Sequence, residues 1–256
     1  MNLLTHFNFE KTDNFFIYRL KQENKEDFLS EITSEFRHCY ITDKKLSEKA
    51  NENKKTASKF LEEFILPNVG NIKSGDFGEM LSYFFVIEHY AFNGTVIFAP
   101  RKWRWKEEKN KASPFSDAVG FYREDKTTPS DKDFVVCVES KMKATKSDKH
   151  RIQEAIDGAN KDRVSRLGKT LCWLREKYAK GGSAKMRKYI ERYSDPVGKK
   201  IYKKFFKAFT ILDNKFETQE FTKLINNADG ISIIIISMEH LRDVYEENLK
   251  RIIESV

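Results

Sequence analysis

Three acidic side chains and one lysine lie at the edges of apolar segments between residues 74 and 141. Glu79 ends the stretch G-D-F-G-E, Asp117 lies in S-D-A-V-G-F, and Glu139 and Lys141 lie in V-E-S-K. Carboxylates of this kind hold hard divalent cations such as Mg²⁺, and a held cation can activate water for phosphodiester hydrolysis. The set therefore suggests a metal-dependent nuclease centre.

The spacing of these residues assigns a role to each of them. We expect Asp117 and Glu139 to bind Mg²⁺ or Mn²⁺, with the Ser140 carbonyl as a further ligand. Strand residues two apart point to the same side, so Glu139 and Lys141 should face one site while the Ser140 side chain turns away. Lys141 would position or help to deprotonate the attacking water, and Glu79 would support the metal or the lysine.

Each of these residues also has an ordinary explanation. E-x-K pairs arise by chance in a chain of 47 Lys/Arg and 39 Asp/Glu. Asp117 could be a turn residue, and Glu79 could be a helix N-terminal charge that the helix dipole favours. The ordered set of helix Glu, strand Asp and an apolar strand ending in E-x-K favours the catalytic interpretation over these separate ones.

Hydrophobic periodicity predicts the elements that position the site. In the N-terminal part we expect a strand at 14–20, a helix at 26–38, a longer helix at 43–66 and a helix at 75–92 with Ser74 as its N-cap. Further along we expect strands at 95–99, 118–122, 134–138, 209–212 and 231–238, and helices at 147–174, 184–208 with a break at Asp195-Pro196, 217–227 and 240–253.

This order of elements predicts an α/β fold, with a mixed sheet flanked by helices. Residues 75–160 give the order α-β-β-β-α, and a further strand arrives near the C-terminus. We expect two parts: an N-terminal extension of strands and helices over 1–70, which is a candidate for partner binding, and a nuclease domain over 71–256.

Positive charge is concentrated downstream of the acidic residues. The chain carries a net charge of +8, but residues 141–207 hold 21 Lys/Arg against 7 Asp/Glu, so the rest of the chain is net negative. Such a block suits a polyanionic partner. A solvated, lysine-rich surface would have the same composition, and composition alone does not separate the two.

A basic and aromatic run, R-K-W-R-W-K, is the second nucleic-acid candidate. Its cations could meet phosphates while Trp103 and Trp105 stack on bases, as in single-strand binding surfaces. The alternative is that the tryptophans pack on the sheet, which we favour for Trp103. The residues we predict to contact nucleic acid are Arg101, Lys102, Arg104, Lys106, Lys143, Lys149 and Gln153.

Several classes of protein are disfavoured by what the sequence lacks. The three cysteines are isolated, which argues against a disulfide framework or a structural zinc site. We find no signal peptide and no apolar run long enough for a membrane span, so we expect a cytoplasmic protein. The phosphate-binding motif G-x-x-x-x-G-K-[ST] is missing, so we expect no ATP to bind this chain.

The ordered set resembles the PD-(D/E)xK nuclease superfamily, which has the restriction-endonuclease-like fold. Asp117 matches its aspartate, Glu139 and Lys141 match its (D/E)-x-K, and Glu79 matches the glutamate often found on its first core helix. The proline of the superfamily's motif is not adjacent to the aspartate here; Pro114 lies three residues before it.

Taken together, G-D-F-G-E, S-D-A-V-G-F and V-E-S-K are similar to the HamA family, the nuclease subunits of the Hachiman anti-phage system. That resemblance covers roughly residues 70–256. It implies Mg²⁺-dependent or Mn²⁺-dependent DNA degradation, restrained by and acting with a helicase partner, HamB. Two alternatives remain open: a non-catalytic DNA-binding or assembly subunit with a nuclease-like fold, and an RNase toxin on the same fold.

Overall fold

The chain folds around one six-stranded mixed sheet, seen in a computed structural model that describes residues 2–12, 15–194 and 202–256. The strand order is β1-β2-β6-β5-β4-β3, with antiparallel pairs at both edges and parallel pairs in the centre. The strands are β1 (Phe7–Lys11), β2 (Phe15–Leu20), β3 (Ala118–Tyr122), β4 (Phe134–Lys143), β5 (Lys203–Asp213) and β6 (Ile231–Met238).

Helices cover both faces of this sheet, so its central strands are buried on both sides. This is why β6 reads as a near-continuous apolar run, I-S-I-I-I-I-S-M, instead of an alternating one. The helices are α1 (Lys25–Tyr40), α2 (Asp43–Glu52), α3 (Ala57–Phe60), α4 (Gly70–Phe92), α5 (Arg151–Lys161), α6 (Leu167–Lys180), α7 (Ala184–Glu191), α8 (Glu217–Phe221) and α9 (Leu241–Glu254).

Two apolar cores lie on the two faces of the sheet. On one face, α4 packs on the sheet with α1 and α9, and the centre of that core includes Phe36 and Met80. On the other face, α5 and α6 pack with Cys137 of β4 and Leu212 of β5. The predicted α/β class, a mixed sheet flanked by helices, is confirmed.

Local patterns located several elements correctly. The strands predicted at 118–122 and 231–238 have those bounds, and the helices predicted at 26–38 and 240–253 correspond to α1 and α9. The strand predicted at 14–20 corresponds to β2, although residue 14 lies outside the described residues. The break predicted at Asp195-Pro196 lies outside them too.

The prediction of one helix over 43–66 is wrong, because the chain starts a helix twice. Thr42 caps α2 and Thr56 caps α3 through their side-chain oxygens, and Lys54 between them has a positive φ of 53°. The prediction of Ser74 as an N-cap is also wrong. Helix α4 begins at Gly70, and Ser74 lies inside its first turns.

The predicted strand at 95–99 is wrong as well. Only Phe98 pairs, in an isolated bridge to Phe121 of β3. Pro100 has no N–H to donate, so the ladder cannot continue past it. The helix predicted over 184–208 ends as α7 at Glu191, and Lys203–Lys207 belong to β5, where pairing with β4 and β6 overrides the basic composition.

The N-terminal 70 residues are continuous with the rest of the sheet. Strand β2 pairs in parallel with β6, and α1 packs against α9 at the opposite end of the sequence. Their buried residues, among them Leu3, Phe28 and Leu61, belong to the same core as Met80 of α4. Residues 2–12 and 15–70 thus share one sheet and one apolar core with the rest of the described chain.

Cys39, Cys137 and Cys172 are free thiols, in agreement with the expectation of no disulfide framework. The first two are buried in the cores and the third is exposed. Within the described residues, the helices are too short or too polar for any of them to cross a lipid bilayer.

Candidate active site

The four sequence-predicted catalytic residues meet where β3, β4 and α4 come together. Asp117 directly precedes β3, and the pairing of Ala118 with Val138 brings it opposite Glu139. The Asp117 backbone N–H donates to the Val138 carbonyl at 3.1 Å, and its carboxylate oxygen Oδ2 accepts from the Ser140 N–H at 2.8 Å. The aspartate is thus fixed at the edge of the sheet.

Strand β4 places Glu139 and Lys141 on one side, as alternation predicts. The Lys141 ammonium lies 2.5 Å from Glu139 Oε1. The Ser140 side chain points to the other side, where the Ser82 hydroxyl of α4 donates to it at 3.0 Å. Because β4 continues to Lys143, both site residues lie inside the strand and not at its end, where the sequence had placed them.

Arg166 joins this site although sequence reasoning did not select it. Its guanidinium forms an ion pair with Glu139 Oε2, and its Nε donates to Asp162 Oδ1 at 2.6 Å. It also donates to the Gly158 carbonyl at 2.8 Å. The residues from Asp162 to Arg166 form a π-helical turn between α5 and α6, which directs the arginine toward β4.

Gly158 of α5 makes room for Glu139. A Cβ at that position would overlap the Glu139 carboxyl group, so any side chain there must displace the glutamate. The Glu139 carboxyl group therefore requires glycine at position 158, whereas the helical backbone does not. Nothing in the local sequence distinguishes this glycine from a helix-weakening one.

Glu79 projects from α4 into a polar pocket under the basic-aromatic run. It accepts from Trp103 Nε1 at 3.1 Å and lies 3.3 Å from the Lys102 ammonium. Lys102 in turn donates to the Ser116 carbonyl at 2.9 Å, one residue before Asp117. Trp103 is buried against Tyr83, so the structure supports packing over base stacking for this tryptophan.

Burial governs the titration of the two glutamates. Desolvation, opposed by Lys102 and reinforced by Asp117, raises the pKa of Glu79 to about 8. Desolvation and the charge of Asp117 likewise raise the pKa of Glu139 to about 7, although Lys141 and Arg166 act against this. The carboxylates at this site influence one another, which shows that they share one electrostatic environment.

Lys141 stays protonated in this environment. Burial works to lower its pKa, but the charges of Asp117 and Glu139 outweigh it and the pKa is raised above the ordinary value. A lysine of this kind is a poor proton acceptor near neutral pH. Its chemistry is that of a fixed positive charge that orients water and offsets phosphate charge.

The donor atoms fit a hard divalent cation. Among the described residues, no three His, Cys, Asp or Glu side chains are grouped to hold a metal by themselves. Two carboxylates and the Ser140 carbonyl nevertheless form an all-oxygen set of the kind Mg²⁺ prefers. Within the described part of the chain nothing donates to Asp117 Oδ1, while both oxygens of Glu139 are paired with cations.

The four basic residues of the basic-aromatic run, which we predicted to contact nucleic acid, bind other parts of the protein instead. Arg101 pairs with Glu35 at 2.5 Å, Lys106 pairs with the buried Asp76 at 2.7 Å, and Lys102 pairs with Glu79. Arg104 donates to the His38 carbonyl. These four cations anchor the run to α1 and α4, so their placement gives no support to a role in meeting phosphates.

The other three residues predicted to contact nucleic acid, Lys143, Lys149 and Gln153, differ in their exposure. Lys143 is buried and pairs with Glu220 at 2.7 Å, far from any exposed surface. Gln153 exchanges hydrogen bonds with the backbone of Asn226 and donates to Asp157. Lys149 alone of the three is exposed.

A basic cleft opens beside the site on the side of the π-helical turn. Its volume is about 560 Å³, and its lining includes Asp162, Arg163, Arg175 and Lys204. Asp162 in its lining is also the partner of Arg166, which pairs with Glu139; Glu139 itself does not line the cleft. Sequence reasoning included these basic residues only as part of the stretch 141–207, because nothing local separates them from its other cations.

The family model of HamA matches residues 3–252, nearly the whole chain of 256 residues. No curated protein matches the sequence. The match includes α4, β3 and β4 with every residue of the site, and extends through the N-terminal strands to α9. This chain belongs to the HamA family.

Proposed function

We propose that this protein is a metal-dependent DNase, the effector of a bacterial anti-phage defence system. Membership of the HamA family makes it a Hachiman defence-associated protein. The observation that carries the proposed activity is that Asp117, Glu139 and Lys141 lie together at the junction of β3 and β4, with Glu79 linked to them through Lys102. Ordinary turn or surface roles would not bring these four residues together.

Each residue of the site has a defined task in the proposed reaction. Asp117, Glu139 and the Ser140 carbonyl would hold Mg²⁺ or Mn²⁺, which when bound supplies Lewis acidity and an activated water. The Lys141 ammonium orients that water and offsets the charge that develops on the phosphate. Glu79, fixed by Trp103 and Lys102, keeps the adjacent polar groups in place.

The basic cleft is the path we assign to the DNA backbone. Arg163, Arg175 and Lys204 line it. Contacts of this kind go to phosphates, so they position DNA without reading its sequence. We therefore expect salt-sensitive binding with little sequence preference.

A helicase subunit is the partner we propose, in line with the resemblance that the sequence suggested. A nuclease with little sequence preference would damage its host, so its activity requires restraint by a bound protein. Helices α1 to α3 and α9 offer a surface on the face of the sheet that α4 covers. Exposed apolar side chains there include Phe64 and Val69, with exposed fractions of 48% and 44%.

Cleavage of supercoiled and linear DNA tests the proposal. Wild type and Glu139→Ala are compared in Mg²⁺, Mn²⁺ and EDTA, with and without the helicase subunit. Glu48→Ala, which removes an exposed glutamate of α2, is the matched control. We expect metal-dependent cutting by wild type and Glu48→Ala that Glu139→Ala lacks.

Other outcomes identify the alternatives. DNA binding without cutting, in every metal and with the helicase present, would indicate a non-catalytic DNA-binding subunit. Cutting of RNA but not DNA under the same conditions would indicate an RNase. Cutting that Glu139→Ala retains would exclude the proposed site.

A further inference from the structure

Arg166 and Lys141 together cover the Glu139 carboxylate. Glu139 is only 4% exposed, and Lys141 and Arg166 occupy its two carboxylate oxygens. Arg166 is held at three points, since it also contacts Asp162 and the Gly158 carbonyl. A cation that binds Glu139 must compete with these two positive groups.

The charges of this cluster are nearly balanced. It contains four carboxylates and three cations: Glu79, Asp117, Glu139, Asp162, Lys102, Lys141 and Arg166. The neighbouring Asp76 and Lys106 form a neutral pair. Positive and negative groups are thus present in similar number. The buried Asp162 Oδ2 has no hydrogen-bond donor among the described residues.

Because of this balance, a divalent cation that binds alone leaves positive charge uncompensated. Two added positive charges would leave the buried cluster with a net positive charge, which is costly away from water. A phosphodiester carries a negative charge that offsets part of this positive charge. A metal and a backbone phosphate are therefore each more favourable when the other is present.

We propose that Arg166 couples metal binding to DNA binding by moving from Glu139 to the phosphate of the bound strand. This inference rests on the proposed function, since it assigns the regulation of the same site. The Nε bond to Asp162 is a pivot about which the outer nitrogens can turn. The planar fork of a guanidinium matches phosphate oxygens as well as it matches a carboxylate. A π-helical turn at this position fits such a role, because these turns often occur at functional sites.

The test is the affinity for Mg²⁺, measured by titration calorimetry with and without a short duplex of nuclease-resistant phosphorothioate DNA. In wild type, the duplex should strengthen Mg²⁺ binding at least tenfold. Arg166→Gln removes one positive charge, so metal alone nearly neutralises the cluster. This variant should bind Mg²⁺ about tenfold more tightly than wild type without DNA, gain little from the duplex, and cut more slowly.

Two further variants separate charge from structure. Arg166→Lys keeps the charge and should retain weak binding of Mg²⁺ without DNA. Arg187→Gln breaks a similar i,i+4 ion pair, with Glu191 on α7, and should leave Mg²⁺ affinity within twofold of wild type. Both are compared with Arg166→Gln for thermal stability in EDTA, to show that each protein is folded.

The results also distinguish this inference from the proposed nuclease activity. An Mg²⁺ affinity of Arg166→Gln that is equal to or weaker than that of wild type would overturn the inference, even if wild type cuts DNA. The expected affinities in a protein that cuts no DNA would leave the coupling established and the nuclease activity refuted. Undetectable Mg²⁺ binding in every protein, with or without DNA, would refute both.

Discussion

At the scale of single residues, the site contains several buried carboxylates close to one another. Asp117 and Glu139 lie opposite each other across two strands, and Glu79 reaches them from α4. Burying several like charges is unfavourable unless cations accompany them. Lys102, Lys141 and Arg166 provide those cations.

The closeness of Gly158 to Glu139 yields a prediction. In an exposed helix, replacing Gly by Ala stabilises by about 1 kcal/mol. Here a Cβ would overlap the Glu139 carboxyl group, so Gly158→Ala should lose that gain and displace the ligand. We expect a folded protein, by circular dichroism, whose DNA cleavage is reduced at least tenfold.

Gly75→Ala on α4 is the matched control, because nothing lies within 4 Å of a Cβ built there. It should be as active as wild type and equally or more stable. Full activity of Gly158→Ala would show that Glu139 has no fixed role in the reaction.

The raised pKa of Glu79 makes stability depend on pH. Its pKa rises from 4.5 to about 8, mainly through desolvation, so the folded state holds this proton more tightly than the unfolded chain. Where the folded state binds more protons, stability falls as pH rises, here between pH 4.5 and 8. Glu79→Gln lacks this proton and avoids that loss.

The measurement is urea unfolding of both proteins in EDTA at pH 5, 6, 7 and 8. We expect the stability of Glu79→Gln relative to wild type to increase with pH, by up to about 1.4 kcal/mol per pH unit. Unfolding free energies that change in parallel for the two proteins would show that Glu79 titrates normally.

At the scale of elements, β4 and the π-helical turn do most of the positioning. Strand β4 extends five residues beyond the segment 134–138 that its apolar run predicted. Pairing with β5 on one side, Glu139 with Ala208 and Lys141 with Thr210, holds this polar end in the sheet. Such non-local pairing leaves no local pattern, which explains why the sequence placed the two residues at the strand's end.

The π-helical turn holds one residue more than an α-helix would at the same place. Val164 lies within it and is 82% exposed, so deleting Val164 should convert α5 and α6 into one continuous helix without disturbing their buried faces. We expect a melting temperature within a few degrees of wild type. The positions of Asp162 and Arg166 relative to Glu139 would change, so DNA cleavage should be lost.

Deleting the exposed Lys169 within α6 is the comparison. It would rotate Leu171 and Leu174 by roughly 100° away from the core, and the protein should fail to fold. Cleavage at the wild-type rate after deletion of Val164 would show that the π-helical turn has no part in the site.

At the scale of the whole molecule, sequence patterns predicted the fold class, which is confirmed, and selected four residues that the structure places near one another. They recovered these because an apolar strand, a helix start and an E-x-K spacing are local. They missed Arg166, Asp162 and Gly158, whose roles exist only once α5 and the π-helical turn pack on β4. No feature of the sequence singles out one arginine in a stretch with 21 basic residues.

The same limit applies to the N-terminal 70 residues, which the sequence presents as an extension. Strand β2 pairs with β6, more than 200 residues away, and only this pairing covers one side of a strand with the sequence I-S-I-I-I-I-S-M. A fragment of residues 71–256 would leave that side of β6 unpaired. It would also expose the core that Phe28, Phe36 and Leu61 fill.

We therefore expect the fragment 71–256 to aggregate, because a long apolar edge strand pairs readily with other chains. In calorimetry the full-length protein should unfold in a single transition, with calorimetric and van't Hoff enthalpies in agreement. Removal of Ser255 and Val256, which follow α9, is the control and should leave that transition in place. A soluble 71–256 fragment with its own sharp transition would contradict this prediction, since it would mean that the sheet is complete without β1 and β2.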